Sequence, residues 1–166
     1  MALETNAELL GRVPIFQGLQ PEQLSAIAGN GREVYFEQGS AVLSAGENGH
    51  SAFLILSGTV APESFEETLS PPEFLGYGTF LGELAMLVET TFTLNVIARW
   101  QVRALALDRG AMQMVMEADP SIAHHFANKL VERLRLLAGD LRRIDGRFAT
   151  LEFAVEHVIS RARVRP

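Results

Sequence analysis

The stretch Gly78-Thr79-Phe80-Leu81-Gly82-Glu83-Leu84-Ala85-Met86-Leu87 decides how this chain is read. It lies between two β-rich runs and reads as a glycine turn feeding a very short helix. The first amides of such a helix have no internal acceptors. They point outward with partial positive charge and suit an anion such as a phosphate. Gly82 lets a ligand approach the backbone closely. Glu83, once ionised, only accepts hydrogen bonds and so suits a sugar hydroxyl. The same string also fits a plain sheet corner, so its surroundings must decide.

Outward from this turn the pattern is β on both sides. Short runs rich in Val, Ile, Leu, Phe and Thr fall at 33–36, 41–44, 52–57, 59–61, 74–77, 92–98 and 101–107, with punctuation at Gly39, Gly46, Gly49, Gly58 and Gly78. Many short strands with regular turns predict a barrel or sandwich. Residues 61–72 (APESFEETLSPP) predict an exposed, acidic hairpin loop, in which Glu66 and Glu67 are solvated surface rather than an acid–base pair.

The two ends are helical. Residues 6–10 and 21–28 carry helical spacing, the second with Pro21 in its first turn. Asp108 is placed to cap a helix running to Met116, and Asp119-Pro120-Ser121 is a second start signal. Beyond it, Ile122, Phe126, Leu130, Leu134, Leu137, Leu141 and Ile144 follow in steps of four and three, the spacing of a packed helical seam. Gly146 is expected to end that helix. Phe148, Leu151, Val155, Val158 and Ile159 predict one further short helix, and 161–166 a frayed tail.

Composition narrows the function. With 166 residues the chain is one domain, or one domain with an extension. It has no cysteine, which excludes disulfides, thiolate metal sites and cysteine nucleophiles. No apolar run is long enough to span a membrane, and the start lacks a signal-peptide pattern, so a cytoplasmic protein is expected. The net charge of −6 hides an asymmetry. Residues 1–98 hold two basic residues, Arg12 and Arg32, against twelve acids, a balance of −10. Residues 99–166 hold twelve basic residues against eight acids, a balance of +4. Between Arg32 and Arg99 the only charged or titratable groups besides tyrosine are glutamates and His50.

The ordered set of motifs resembles the cyclic nucleotide-binding domain family, which includes catabolite-activator-type regulators and the regulatory subunits of cyclic-nucleotide-dependent kinases. The resemblance runs from about Leu9 to Ile144. Ile15-Phe16-Gln17-Gly18-Leu19 looks like the family's entry motif. Phe36-Glu37-Gln38-Gly39, Gly46 and Phe53-Leu54-Ile55-Leu56-Ser57-Gly58-Thr59-Val60 look like its glycine-spaced strands, and Phe80 to Leu87 like its phosphate-binding cassette. The fold implied is mostly β with flanking helices: a double-stranded β-helix, or jelly roll, plus a long C-terminal helix over the pocket mouth. The implied division is 1–31 for the N-terminal helices, 32–107 for the roll with its cassette, 108–146 for a hinge and the long helix, and 147–166 for a short helix and tail.

One departure matters most. The family cassette usually ends in proline-arginine, and the arginine pairs with the cyclic phosphate. Here Thr91 falls on the proline, Phe92 on the arginine, and Asn95 where a threonine often meets the purine. Phenylalanine offers no charge and no fork of donors. A replacement cation is not found between Glu33 and Ala98. It would have to come from Arg99, Arg103, Lys129, Arg133 or Arg135.

The expected function is therefore a non-enzymatic sensor. A small ligand, cyclic AMP or cyclic GMP, sits against Gly82, Glu83, Leu84 and Ala85, with Phe92, Thr93 and Asn95 lining the other side. Binding shifts a hinge near 107–119 and moves the C-terminal helices. The alternative is a degenerate roll that binds no nucleotide, with Phe92 as a plug, acting as a dimerisation or protein-interaction scaffold. Either way the helix from Ile122 to Ile144 is expected to pair with its copy in a homodimer, with a separate output protein. No cofactor and no metal site is expected: His124 and His125 are adjacent on a helix and diverge, and His50 stands alone among the strands. No nucleophile signature accompanies Ser44 or Ser57. The basic C-terminal residues balance the acidic roll, and no DNA contact is expected because no helix-turn-helix pair fits 148–166.

Overall fold

A computed structural model describes residues 4–63 and 73–162, with side chains through residue 144. Glu66, Glu67 and the rest of 64–72, the side chains of Phe148 to Ile159, and residues 163–166 lie outside the described residues. The chain divides into two compact units, Met1–Phe126 and Ala127–Pro166.

The first unit opens with α1 (Asn6–Gly11) and α2 (Pro21–Gly29), joined through a 3-10 turn at Pro14–Phe16. Thr5 and Glu8 start α1 with a capping box: Thr5 Oγ1 accepts from the Glu8 N–H, and Glu8 Oε2 accepts from the Thr5 N–H. Among the described residues nine strands follow: β1 (Arg32–Phe36), β2 (Ala41–Leu43), β3 (Asn48–Gly49), β4 (Ser51–Ser57), β5 (Val60–Pro62), β6 (Phe80–Leu81), β7 (Thr90–Thr91), β8 (Val96–Ala98) and β9 (Val102–Asp108). All pair antiparallel. The sheet orders are β1-β9-β4-β6, β2-β8-β5 and β3-β7. The pairings β1–β9, β2–β8 and β3–β7 are nested, so the first three strands run back along the last three in reverse order. That is a ribbon rolled over on itself.

β4 reads as an almost unbroken apolar run because both its faces are covered. Ala52, Leu54 and Leu56 turn towards the helices, joining Leu9, Leu10, Phe16, Ile27, Met86, Ile122 and Phe126 in one core. Phe53 and Ile55 turn the other way, into the roll, with Val42, Leu43, Val60, Val96, Val102 and Ala104. β9 does the same, with Leu105 and Leu107 on the helical side. Phe16 ties the parts together: its ring meets Phe80 edge-on at 5.2 Å and Phe126 at 5.7 Å. Gly58 is a tight corner. Its φ is +87°, and a Cβ there would lie 2.2 Å from the Gln101 carbonyl oxygen.

Two helices follow among the described residues, α3 (Arg109–Ala118) and α4 (Pro120–Ala162). Asp119 starts α4, its Oδ1 accepting from the Ser121 N–H at 3.0 Å. Among the described residues no helix is long and apolar enough to cross a membrane.

Four expectations need correction. Residues 74–77 make only a single bridge, Leu75 to Val60, rather than a strand. Of the run 92–98 only Val96–Ala98 is strand, as β8, with β7 ending before it at Thr91, because 92–95 leave the ladder for the contacts described below. Asp108 does not cap α3 with its side chain. Its carboxylate instead accepts from Ser51 Oγ and from Arg32 Nε. Finally, Gly146 does not end the long helix, which continues as one element of 43 residues to Ala162. A lone glycine costs about 1 kcal/mol against alanine, and no proline stands between Gly146 and Ala162 to enforce a stop.

Candidate functional site

The cassette begins where β6 ends. Gly82 has φ +69° and ψ +30°, the left-handed region that favours glycine, and starts a 3-10 turn over Glu83–Met86. The Ala85 N–H donates to Gly82 O at 2.9 Å, which closes the turn. Met86 is fully buried in the helical-side core and anchors the turn from behind, while Leu84 faces solvent. Glu83 is half-buried.

Phe92 comes back to this turn from the other side. Its backbone is held at both ends: its N–H donates to Glu47 O at 3.0 Å, and its carbonyl accepts from the Gly46 N–H at 2.9 Å. The ring is thereby aimed into the roll, half-buried on the cluster of Val42, Leu43 and Ile55. It lies on two glycines. A Cβ on Gly82 would sit 3.1 Å from Phe92 Cε1, and one on Gly49 would sit 2.9 Å from Phe92 Cζ and 2.7 Å from Ala85 Cβ. Gly49, Gly82, Ala85 and Phe92 thus form one packed cluster. Gly49 escaped the sequence analysis as a site residue because its only visible trait was turn punctuation. Its pairing with Thr90, across from the cassette, is a tertiary fact.

The remaining expected residues separate. Thr93 is exposed. Asn95 is engaged within the protein: its Oδ1 accepts from the Ala45 N–H at 2.7 Å, and its Nδ2 donates to Glu63 Oε2 at 2.8 Å. With the Glu63 N–H donating to Asn95 O at 2.9 Å, it clamps the turn after β2 to the end of β5. Of the cations considered above, Arg103 lies 3.5 Å from Glu33. Lys129, Arg133 and Arg135 stand on the part of α4 that belongs to the second unit.

Other titratable groups have structural partners. His50 Nδ1 faces Arg109 Nη2 at 3.1 Å. His125 Nε2–H donates to Ile15 O at 2.9 Å, since a carbonyl can only accept. Burial alone would push Asp108 up, but hydrogen bonds from Arg32 and Ser51 and the guanidinium charge outweigh it and hold the carboxyl below its ordinary range. Among the described residues no group of three or more His, Asp or Glu side chains is placed to hold a metal. An open groove of about 410 Å³ lies between α2 and α3, and another of about 870 Å³ between α1 and α2; neither is lined by a cassette residue.

The left-handed glycine, the 3-10 turn and the rolled strands around them match a known pattern. The model of the cyclic nucleotide-binding domain matches residues 33–119. The chain belongs to the cyclic nucleotide-binding domain family. It is 31% identical over 151 residues to a CRP-like cAMP-activated global transcriptional regulator of Mycobacterium tuberculosis, an alignment that covers 88% of this chain and 63% of the regulator. The N-terminal domain of a transcriptional regulator from Streptomyces coelicolor superposes with a TM-score of 0.69 at 24% identity, over 80% of this chain and 94% of that one. The Thermus thermophilus catabolite activator protein superposes with a TM-score of 0.61 at 26% identity, over 80% of this chain and 63% of that one. The architecture is therefore the jelly roll of cyclic nucleotide-binding domains with a long C-terminal helix. The chain spans less than two thirds of the length of the Mycobacterium regulator. The family is one of regulatory binding domains, and this chain is a module of that kind.

Proposed function

We propose that this chain is a non-enzymatic regulatory module whose phosphate cradle is closed by its own Phe92, and that it signals through its C-terminal helix without holding cyclic AMP or cyclic GMP tightly. The observation that carries this is the Phe92 ring packed on Gly49 and Gly82. The ring takes the space in which a cyclic phosphate would meet the turn, and it replaces the arginine that would pair with it. No lysine or arginine between Glu33 and Ala98 makes up the charge. Losing a hydrogen bond to a charged group costs about 1.5–3 kcal/mol, or roughly one to two decades of affinity.

The output of such a module is an interaction. Leu134, Leu137, Leu141 and Ile144 are all exposed along one stripe of α4. A homodimer through that helix, working with a separate output protein in the cytoplasm and touching neither DNA nor membrane, accounts for the stripe without further assumptions.

A second reading keeps the cradle in use. The left-handed Gly82 and the exposed Leu84 favour it, because a mere corner needs neither. In that case the Phe92 ring swings aside. Gly82, Glu83, Leu84 and Ala85 then meet the phosphate and ribose of cyclic AMP or cyclic GMP, and Thr93 and Asn95 line the far side.

Calorimetry and thermal shift with both nucleotides separate the two. The native chain is expected to give no heat and no melting shift at millimolar nucleotide. Phe92→Arg is expected to tighten binding by about ten- to a hundred-fold. Micromolar binding by the native chain overturns the plug and leaves the sensor.

A further inference from the structure

The groove of about 410 Å³ between α2 and α3 has an apolar floor. Ala26 comes from α2, Met114, Val115 and Ala118 from α3, and Ile122 from the first turn of α4. Val115 and Ile122 are buried at its base, while Met114 is 61% exposed and Ala26 and Ala118 are open to solvent. Methionine is unbranched and polarizable, so it adapts to guests of different shape. The two walls are joined where Gln23 Nε2 donates to Asp119 Oδ2 and to Ser121 Oγ, both at 2.8 Å.

The rim is acidic. Glu22 and Asp119 stand on it, and no lysine, arginine or histidine is among the described residues that line the groove. Neither carboxylate forms an ion pair among the described residues. Hydrogen bonds from Gln23 and then Ser121 hold the Asp119 carboxyl below its ordinary range, so it stays an anion. The wider field has the same sign. Residues 1–126 hold fifteen acids against five basic residues, a balance of −10. A guest that fits must bring apolar side chains for the floor and positive charge for the rim. An acidic segment or an anionic lipid surface is repelled, and the balance of −10 opposes a second copy of the same unit.

We propose that this groove receives a basic amphipathic helix of a partner protein, with its apolar side on Met114 and Ile122 and its lysines or arginines against Glu22 and Asp119. A volume of this size takes the few spaced apolar anchors by which a helix docks in a groove. The contact needs no nucleotide and uses neither the cassette nor the apolar stripe of α4, so it stands or falls apart from both.

The probe is a fluorescein-labelled peptide of leucine and lysine, about five helical turns long, with the leucines on one face. Fluorescence anisotropy with the full chain is expected to show saturable binding at micromolar peptide. Glu22→Arg reverses an exposed charge on the rim and is expected to weaken binding about ten-fold or more. Glu37→Arg makes the same change of net charge beyond the far end of β1 and is expected to leave affinity within about two-fold. Ala26→Phe fills the floor and is expected to weaken binding as Glu22→Arg does, with the melting transition of the roll retained. The same peptide with glutamate for lysine is expected not to bind. Equal losses in Glu22→Arg and Glu37→Arg, which would mean attraction to the acidic unit at large, overturn the proposal. So do full affinity in Ala26→Phe, binding of the glutamate peptide, and self-association of the native chain in sedimentation that Ala26→Phe abolishes, which would give the groove to a second copy.

Discussion

Gly49 has no room for a side chain, because the ring of Phe92 and the methyl of Ala85 already occupy the place where one would go. Gly49→Ala is therefore expected to destabilise the chain by about 1–3 kcal/mol through overpacking. Urea denaturation reads this. Combining it with Phe92→Ala removes one of the two clashes, so the pair should cost less than the sum of its parts. Simple additivity would place the ring elsewhere.

The Asn95 amide ties the turn after β2 to the end of β5. Asn95→Ala leaves the Ala45 N–H and Glu63 without that partner and is expected to cost about 1 kcal/mol in the absence of any ligand. An unchanged denaturation midpoint would return Asn95 to a purely ligand-facing role.

Asp108 contributes to an acid limb. Its folded carboxyl titrates below the ordinary aspartate value, because hydrogen bonds from Arg32 and Ser51 outweigh its burial. A depressed folded value means that the stability it adds is fully present above the unfolded value. That stability is lost as pH falls through the folded one. Asp108→Asn is expected to flatten the fall in urea midpoint between neutral pH and the acid side of the ordinary carboxylate range. The group is partly exposed, so the effect is modest. An identical pH profile in the variant would remove Asp108 from that limb.

The apolar stripe on α4 makes a prediction about assembly. Leu134 and Leu141 are 65% and 63% exposed. Replacing both by glutamate is expected to convert a dimer to a monomer in sedimentation or light scattering, while the roll keeps its melting transition. A native chain that is already monomeric at tens of micromolar would leave the stripe to another partner.

Much of the fold was legible because its signals are local. The glycine spacing marks the turns of the roll, the proline and the capping residues mark the helix starts, and the order of these signals along the chain is enough for the family. Four local signals misled, and two of them show why. Gly146 reads as a stop, but one glycine is a small cost inside a long helix. Residues 92–98 read as a single strand, since nothing near them in the sequence announces that Asn95 will spend its amide on Ala45 and Glu63.

The sequence by itself determined that phenylalanine stands at 92, where the family resemblance implies an arginine, that no lysine or arginine lies between Glu33 and Ala98, and that α4 carries an apolar stripe. Each is a matter of which residue stands at which position. Only the tertiary structure decided where the Phe92 ring goes, which glycines it needs beneath it, and that Gln23 reaches Asp119. Those contacts join residues about ten to almost a hundred positions apart. Their geometry follows from how nested strands and packed helices bring distant side chains to one place, which no local pattern encodes.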